Sequence, residues 1–210
     1  CGNVVSTLKL IDWATSNGVK HFIFASTANV YAPSKSILTE KSRTKPISFY
    51  GESKLSAERL LEKYADLINI DILRFFTVYG PGQMGMLFPN IISRVLDKKE
   101  IDLASKIGVV LTPIYVSDIA QVVSRIIDER SSVKTEMRTF NVNGNEVKSL
   151  DQILNLIEKI MGKKALRNYT KNEPSFFKGS NKLLKENFKD LSFTSLEEGL
   201  TKTINQNWVG

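Results

Sequence analysis

The 210-residue sequence contains only one cysteine, Cys1, and only one histidine, His21. A single cysteine excludes an internal disulfide and a cysteine metal cluster, and a single histidine leaves no partner for a histidine-based metal site. No apolar run approaches the roughly 20 residues needed to span a bilayer. We therefore expect no metal and no membrane partner. No secretory signal is visible at the start, which favours a cytoplasmic location.

The charge distribution gives no indication of nucleic-acid binding. The chain has 42% apolar and 24% charged residues, the composition of an ordinary globular protein, and a formal net charge of +7. The lysines are scattered, and their only dense cluster, residues 161–167, is short and lacks interleaved aromatic residues. We expect no nucleic-acid partner. A modest basic excess also suits a phosphorylated substrate, which it would attract by electrostatic steering.

The first half of the sequence predicts a doubly wound parallel sheet. Apolar residues recur at helical spacing over residues 3–16, and a short run of strand formers follows at residues 20–25. After a long loop at residues 32–46, helical spacing returns from residue 50 to about residue 68, and residues 70–76 form a second buried strand. This order of elements is typical of an α/β fold.

The second half predicts a smaller mixed α/β region. Ser117 is a plausible helix N-cap, and residues 194–198 open the last helix with a capping-box arrangement. The periodicity predicts extended segments at residues 109–115 and 139–143, and helices at residues 86–96, 117–127 and 149–161. This half of the sequence is where we expect a substrate region.

The strongest chemical signal is the pair Tyr50 and Lys54 at the head of a predicted helix. Their spacing places the hydroxyl and the ammonium on one face, where the cation would lower the pKa of Tyr50 towards the range of a general base. A Tyr-x-x-x-Lys pair alone is more often solvated surface. However, the strand before it ends in Ser26 and Thr27, at the carboxyl edge where open parallel sheets bind ligands.

These segments resemble the extended short-chain dehydrogenase/reductase family, the NAD-dependent sugar-nucleotide epimerases and dehydratases. Residues 24–31 are similar to the family's Ser-Ser/Thr-x-x-Val-Tyr-Gly strand end, and Tyr50 follows Thr27 at about the family's spacing. Residues 73–83 are similar to its Leu-Arg-x-x-Asn-Val-Tyr-Gly-Pro-Arg-Gln segment, and residues 114–120 to its Tyr/His-Val-x-Asp-x-Ala segment. The resemblance implies a Rossmann-like α/β fold and NAD or NADP as cofactor.

The resemblance also implies roles for individual residues. Thr27 would hydrogen-bond a substrate hydroxyl, Tyr50 would exchange its proton, and Lys54 would also hold the nicotinamide ribose. The implied cofactor-binding residues are Ser26, Tyr50, Lys54, Phe76 and Val78, and the implied substrate-binding residues are Thr27, Thr77, Phe88 and Asn90. The plain alternatives are helix capping for Ser26 or Thr27, a merely packed Tyr50, core positions for Phe76 and Val78, and a loop-to-helix junction at residues 88–90.

For three further polar residues, the sequence allows a structural role as well as a functional one. The family often has an asparagine near the position of Asn3, but an asparagine at a helix start is equally an ordinary cap. We interpret His21, on the apolar strand before the site, as structural or at the surface. Asp118 resembles a catalytic carboxylate, but in the family its position mainly organises its segment, and it also suits the helix dipole.

The sequence departs from the family pattern where the cofactor phosphates would bind. It holds no Gly-x-x-Gly-x-x-Gly turn, so we expect most of the cofactor site to belong to a missing N-terminal part. An inactive relative is the alternative. By the resemblance, residues 1–83 form the C-terminal part of the dinucleotide-binding domain. Residues 84–210 form mainly the substrate-binding region, with some segments returning to the core of that domain.

Other departures affect the substrate. Ala32, Thr77 and Gly82 replace the family's Gly, Asn and Arg, and Thr112 and Pro113 stand where many members have an arginine that clamps the diphosphate. Two arginines elsewhere in the chain could compensate, and these are Arg94 and Arg125.

The two residues that follow Thr27 in the sequence bear on the type of reaction. The dehydratase branch has Asp-Glu after its threonine, whereas Ala28 and Asn29 follow here, which disfavours dehydration. We expect an NAD(P)-dependent epimerase, or a ketoreductase, acting on a nucleotide-activated sugar in nucleotide-sugar metabolism and polysaccharide biosynthesis. A carbonyl reductase for a non-nucleotide substrate and a non-catalytic binding protein are the alternatives. The resemblance also implies a homodimer formed through the helix that carries Tyr50 and the helix before it.

Overall fold

The computed structural model describes residues 2–129 and 135–208, so Cys1 lies outside the described residues. The α-helices in these ranges are α1 (Gly2–Ser16), α2 (Phe49–Leu61), α3 (Leu87–Leu96), α4 (Val116–Glu129), α5 (Leu150–Met161), α6 (Lys182–Asn187) and α7 (Leu196–Trp208). The strands are β1 (His21–Thr27), β2 (Asn69–Phe75), β3 (Thr77–Tyr79), β4 (Glu100–Ala104), β5 (Val110–Leu111), β6 (Pro113–Tyr115), β7 (Met137–Val142), β8 (Lys148–Ser149), β9 (Leu166–Thr170) and β10 (Phe176–Phe177). Within the described ranges, no helix has the length and apolar character needed to cross a membrane.

The first of two compact units comprises Cys1–Phe76, Gln121–Val142 and Gly179–Leu191. Its centre is a parallel sheet with the strand order β1-β2-β7. The central strand β2 is buried along nearly its whole length, as expected for a parallel strand with neighbours on both sides and elements on both faces. The predicted parallel α/β fold is confirmed, and the strands expected from residues 20, 70 and 139 begin within two residues of those positions.

Helices α1 and α2 pack against each other in this unit. The buried side of α1 is formed by Thr7, Ile11 and Ala14, which recur at helical spacing. Two of these residues belong to a core cluster that contains Ile11, Ala14, Phe24, Ala57, Leu61, Ile68, Ile70 and Ile72. Each fully buried aliphatic side chain in such a cluster stabilises the fold by roughly 1.5 to 3 kcal/mol. This core fixes α2 beside β1.

The second unit comprises Thr77–Ala120, Asn143–Lys178 and Ser192–Gly210. It contains the parallel pairs β3-β6 and β4-β9 and a three-stranded sheet in which β5 lies between β8 and β10. Helix α5 begins with a capping box, because Ser149 and Gln152 bond to each other's backbone N–H. Helices α3, α5 and α7 contribute most of the core cluster.

Two predicted helix boundaries are wrong. Helix α2 ends at Leu61 and a 3₁₀ turn, Glu62–Tyr64, follows, although apolar spacing continues to about residue 68. The Tyr64 hydroxyl donates to Asp12 of α1, and i→i+3 bonds tighten the chain before it enters β2. Helix α4 begins at Val116, so Ser117 lies inside its first turn and is not the N-cap.

The two compact units of the structure do not have the same boundaries as the predicted cofactor-binding and substrate-binding regions. The first break between the compact units falls between Phe76 and Thr77, and the chain changes unit again within α4, after Ala120. The assignment of residues 1–83 to the cofactor and of residues 84–210 mainly to the substrate stays a prediction.

Candidate active site

Thr27 ends β1 at the carboxyl edge of the parallel sheet and is buried. Its hydroxyl oxygen accepts hydrogen bonds from the backbone N–H of Asn29 at 3.2 Å and from the Asn29 side-chain amide at 3.1 Å. Thr27 therefore caps the short 3₁₀ helix Ala28–Val30, which is the plain role that the sequence left open. Both bonds use the oxygen as acceptor, so its own proton stays available for donation to a ligand.

Tyr50 lies in the first turn of α2, and 51% of its surface is exposed. Within the described ranges its hydroxyl has no hydrogen-bond partner. Ser48 caps the helix, since its hydroxyl oxygen accepts from the backbone N–H of Gly51 at 3.1 Å. A tyrosine that is half exposed at a helix start is accessible to a substrate. The alternative of a merely packed Tyr50 does not fit this exposure.

The start of α2 lies directly against the turn that follows Thr27. A Cβ atom added to Gly51 would lie 2.3 Å from the carbonyl oxygen of Asn29, so only glycine permits this approach. Sequence reasoning missed this role of Gly51, although a glycine next to the tyrosine, in the first turn of a predicted helix, was a usable signal. The close approach brings the segment that carries Tyr50 next to the segment that carries Thr27.

Lys54 joins α2 to the same end of β1. Its ammonium donates a hydrogen bond to the backbone carbonyl of Ala25 at 2.9 Å and lies 4.8 Å from the centre of the Phe24 ring. Partial burial lowers the pKa of the Lys54 ammonium. Thr27, Tyr50 and Lys54, the residues predicted to be catalytic, therefore belong to two elements that are in direct contact.

Ser26 is buried and its hydroxyl is engaged within the protein. The hydroxyl donates to the carboxylate of Glu58 on α2 at 2.5 Å. Arg74 of β2 forms a bidentate pair with the same carboxylate, with distances of 2.6 Å and 3.1 Å. Sequence reasoning missed Glu58 and Arg74 as members of this site. The available signal was the position of Glu58, four residues after Lys54 and hence on the same helical face.

A second layer of hydrogen bonds surrounds Arg74. The guanidinium donates to the Tyr31 hydroxyl at 3.0 Å, and this hydroxyl donates to the Asn141 side chain at 2.6 Å. Burial raises the pKa of Tyr31, which keeps its hydroxyl protonated. The carboxylate of Glu40 accepts from the backbone N–H of Asn141 at 2.8 Å. These bonds attach the loop at residues 32–46 to the strands of the first unit.

Phe76 belongs to the first unit and lies in a buried cluster. Its ring packs with Tyr31, at a centroid distance of 6.4 Å, and only 8% of its surface is exposed. The cluster contains Ala28, Val30, Tyr31, Leu38, Leu55 and Phe76. The structure thus gives Phe76 a core position, which was the alternative to a contact with the cofactor.

The remaining predicted binding residues belong to the second unit. Thr77 and Val78 are half-buried on β3, and the Val78 carbonyl accepts from the Gln83 side chain at 3.1 Å. Phe88 is 1% exposed and stacks on Tyr79 with ring centres 4.6 Å apart, so its side chain fills the core and is not accessible to a substrate. Asn90 is exposed on α3.

The two arginines suggested as replacements for a diphosphate-binding arginine both bond to other groups of the protein. Arg94 donates to the backbone carbonyl of Glu100 at 2.6 Å, and Arg125 pairs with Asp190 at 2.8 Å. The expectation that they replace a missing diphosphate-binding arginine is therefore not supported. In the part of the chain that the structure describes, no three His, Cys, Asp or Glu residues are grouped as a metal site.

The other polar residues singled out in the sequence have structural contacts. Asn3 lies inside α1 and donates to Ser53 at 2.9 Å, so it is not a helix cap. His21 contacts Asp71 at 2.8 Å. Asp118 is buried at the start of α4 and accepts from the backbone and the hydroxyl of Thr194, at 2.9 Å and 2.7 Å.

Comparison with known families identifies the family of this chain. The profile of the NAD dependent epimerase/dehydratase family matches residues 2–143, which include β1, α2, β2 and every predicted site residue. The chain belongs to this family. The resemblance to extended short-chain dehydrogenases/reductases is thereby confirmed.

Two curated relatives that are 30% identical to this chain are sugar-nucleotide epimerases by name. A Bacillus subtilis (strain 168) protein named "Uncharacterized UDP-glucose epimerase YtcB" is 30% identical, with 96% of this chain and 65% of that protein aligned. The UDP-glucuronate 4-epimerase of Thermodesulfobacterium geofontis (strain OPF15) is also 30% identical, with 97% and 64% aligned. The chain therefore spans about two thirds of the length of these relatives.

Solved structures support the Rossmann-like fold. UDP-glucuronic acid 4-epimerase from Bacillus cereus, in complex with UDP-glucuronic acid and NAD, superposes with a TM-score of 0.86 at 27% sequence identity. The match covers 97% of this chain and 66% of that chain. The expected fold class is confirmed.

Proposed function

We propose that this chain carries the catalytic residues of an NAD-dependent epimerase that acts on a nucleotide-activated sugar of the UDP-sugar class. The main support is the contact between two elements, the end of β1 with Thr27 and the start of α2 with Tyr50 and Lys54. A hydroxyl donor, an acid/base group and a cation are thus carried by two elements in contact, and hydride chemistry at a sugar hydroxyl requires groups of these three kinds. The similarity to UDP-glucuronate 4-epimerases supports the substrate class.

In the proposed reaction the three residues divide the proton chemistry. Tyr50 takes the proton from one sugar hydroxyl, and Thr27 donates a hydrogen bond to the same oxygen as it becomes a carbonyl. The Lys54 ammonium stabilises the Tyr50 phenolate, because a nearby cation favours the ionised form. NAD, when bound, supplies the acceptor and later the donor of the hydride. Tyr50 then returns the proton once the sugar carbon is reduced from its other side, which inverts that carbon.

The described residues fit the nicotinamide end of the cofactor. The Lys54 ammonium has further N–H groups beyond its bond to Ala25, and these can reach a ribose hydroxyl. The Ser26 hydroxyl uses its only proton in the hydrogen bond that it donates to Glu58. Towards a ligand it can therefore act only as a hydrogen-bond acceptor. The 210 residues contain no Gly-x-x-Gly-x-x-Gly turn for the pyrophosphate. We therefore propose that the phosphates are bound by other residues of the complete protein.

The test uses the complete protein that the gene encodes, supplied with NAD and with UDP-glucose or UDP-glucuronate. Proton NMR should detect the C4 epimer of the sugar without net formation of NADH. Tyr50→Phe should lower kcat by roughly 10²- to 10⁴-fold, the usual contribution of a positioned acid/base group. Tyr169→Phe is the matched control, because Tyr169 is similarly exposed, at 56%, and lies on β9.

Two results would contradict the proposal. Stoichiometric NADH with an oxidised sugar and no epimer would indicate the ketoreductase or dehydrogenase alternative. Equal turnover in Tyr50→Phe and Tyr169→Phe would show that Tyr50 is not the acid/base group.

We also propose that the protein forms a homodimer through α1 and α2. The outer side of α1 carries apolar side chains that remain exposed, with Val5 at 50%, Leu10 at 57% and Trp13 at 61%. Exposed apolar groups concentrated on one helix are typical of protein interfaces.

Light scattering should give a dimer mass for the wild type and a monomer mass for Trp13→Glu. Leu166→Glu, on exposed β9, should stay dimeric, and a monomeric wild type would refute the proposal.

A further inference from the structure

Glu58 is a buried carboxylate that takes no part in the proposed proton chemistry. It is 3% exposed, and its two oxygens accept three hydrogen bonds. Two of these come from Arg74, and the third comes from the Ser26 hydroxyl. Arg74 is also buried, and although burial by itself lowers its pKa, Glu58 and Tyr31 raise it, so the guanidinium stays charged. Two opposite charges are thus buried together.

The position of this pair relates it to the catalytic residues. Glu58 lies on α2, one turn beyond Lys54 and two turns beyond Tyr50, while Ser26 immediately precedes Thr27 on β1. In the sheet, Arg74 is the β2 partner of Ser26. Glu58 therefore connects the helix that carries the acid/base group to the strand that carries the hydroxyl donor.

Stability alone does not account for such a pair. Removing two charges from water is costly, and replacement of a buried ion pair by apolar residues of similar volume is often neutral or stabilising. An ion pair does have direction and fixed contact distances, which apolar packing lacks. A bidentate Arg–Glu pair also has a single preferred geometry, because the planar guanidinium matches the carboxylate.

We propose that Glu58, held by Arg74, is a positioning residue that fixes the separation between Tyr50 and Thr27. Its carboxylate holds the Ser26 hydroxyl, which sets the backbone at the end of β1 and with it the place of Thr27. This role rests on the proposed epimerase function for its effect on turnover. The effect on the strand end itself is independent of that function.

The decisive variant is E58M/R74M, which removes both charges and keeps side chains of similar volume. We expect a melting temperature within about 5 °C of the wild type, since no buried charge is left unpaired. In the complete protein, kcat should fall at least about 10-fold, while KM for the UDP-sugar should change less than about 2-fold, because substrate contacts remain. Hydrogen–deuterium exchange of residues 22–31 in the cofactor-free protein should rise.

The matched control is D71N/R138M, which removes a pair that also has one member on β2, Asp71, but nearer the other end of that strand. It leaves an amide in place to accept from His21. In this control, kcat and the exchange of residues 22–31 should stay within about 2-fold of the wild type. A drop in kcat equal to that of E58M/R74M would mean that any loss of an ion pair impairs turnover, which would overturn the proposal.

A second variant covers the case in which E58M/R74M does not fold. S26A leaves the Glu58–Arg74 pair intact and removes only the bond to the strand, so faster exchange of residues 22–31 is expected in the cofactor-free protein. Unchanged exchange in S26A would overturn the positioning role. A wild type without epimerase activity would refute the proposed function, whereas the exchange measurements would still decide the role of Glu58.

Discussion

The two edges of the sheet β1-β2-β7 each contain a buried carboxylate paired with an arginine, but the two pairs connect different elements. At the amino edge, Asp71 is fully buried and accepts two bonds from Arg138, at 2.8 Å and 3.2 Å, and one from His21 at 2.8 Å. At the carboxyl edge, Glu58 accepts two bonds from Arg74 and one from Ser26. The chemistry of the two groups of residues is nearly the same.

The difference lies in which element carries the carboxylate. Asp71 lies on β2, between its partners on β1 and β7. Its side-chain bonds therefore link neighbouring strands that backbone hydrogen bonds already hold together. Glu58 stands on α2, which has no backbone ladder to β1. Side chains must therefore set the distance between this helix and the strand. We therefore expect the amino-edge pair to fix only the alignment of neighbouring strands, whereas the carboxyl-edge pair should also affect the site.

The largest effect is expected for Arg74→Met. This change leaves the Glu58 carboxylate buried without its cation, and removal of one partner of a buried pair costs about 3 to 5 kcal/mol. Urea unfolding measures the loss, and addition of Glu58→Met should recover most of it. A single-variant loss under about 1 kcal/mol would mean that Glu58 is readily solvated or neutralised, and the contrast between the two edges would fail.

Gly51→Ala should have the next largest effect. The new methyl group would lie 2.3 Å from the Asn29 carbonyl oxygen, so α2 or the turn after Thr27 must move, at a cost of about 2 kcal/mol. The better helix propensity of alanine offsets less than half of this. Because the displaced elements carry Tyr50 and Thr27, kcat should fall with stability. If kcat were unchanged in a folded Gly51→Ala protein, the close approach would be unnecessary for turnover.

Arg138→Met tests the amino edge and should cost about 1.5 kcal/mol, the lower end of the range for hydrogen bonds to a charged group. The cost is smaller than for Arg74 because Asp71 retains His21, and because the Arg138 side chain is already 16% exposed. Its kcat should equal that of the wild type. A loss of turnover comparable to that of Arg74→Met would remove the distinction between the edges.

The same contrast explains how far sequence reasoning reached. The parallel sheet was predictable because buried strands and helices have different apolar periods, and Tyr50 and Lys54 were predictable because both stand on one helix. The Glu58–Arg74 pair forms only because a particular turn of α2 faces a particular residue of β2. The spacing of residues within each segment of the sequence does not determine how a helix aligns with a strand. Phe88 was assigned to substrate because an apolar residue at a helix start has the same local pattern in a core as in a binding site.

The smallest effect is expected for Ser48→Ala, which removes the cap of α2 at the carboxyl edge. Loss of an N-cap costs about 1 kcal/mol, and Ser149→Ala, which removes the cap of α5, should cost the same. Only Ser48 holds the turn in which Tyr50 lies, through its bond to Gly51. Turnover should therefore fall a few-fold in Ser48→Ala and stay constant in Ser149→Ala. Equal turnover in both variants would show that Glu58 and Lys54 alone are sufficient to hold α2 against β1.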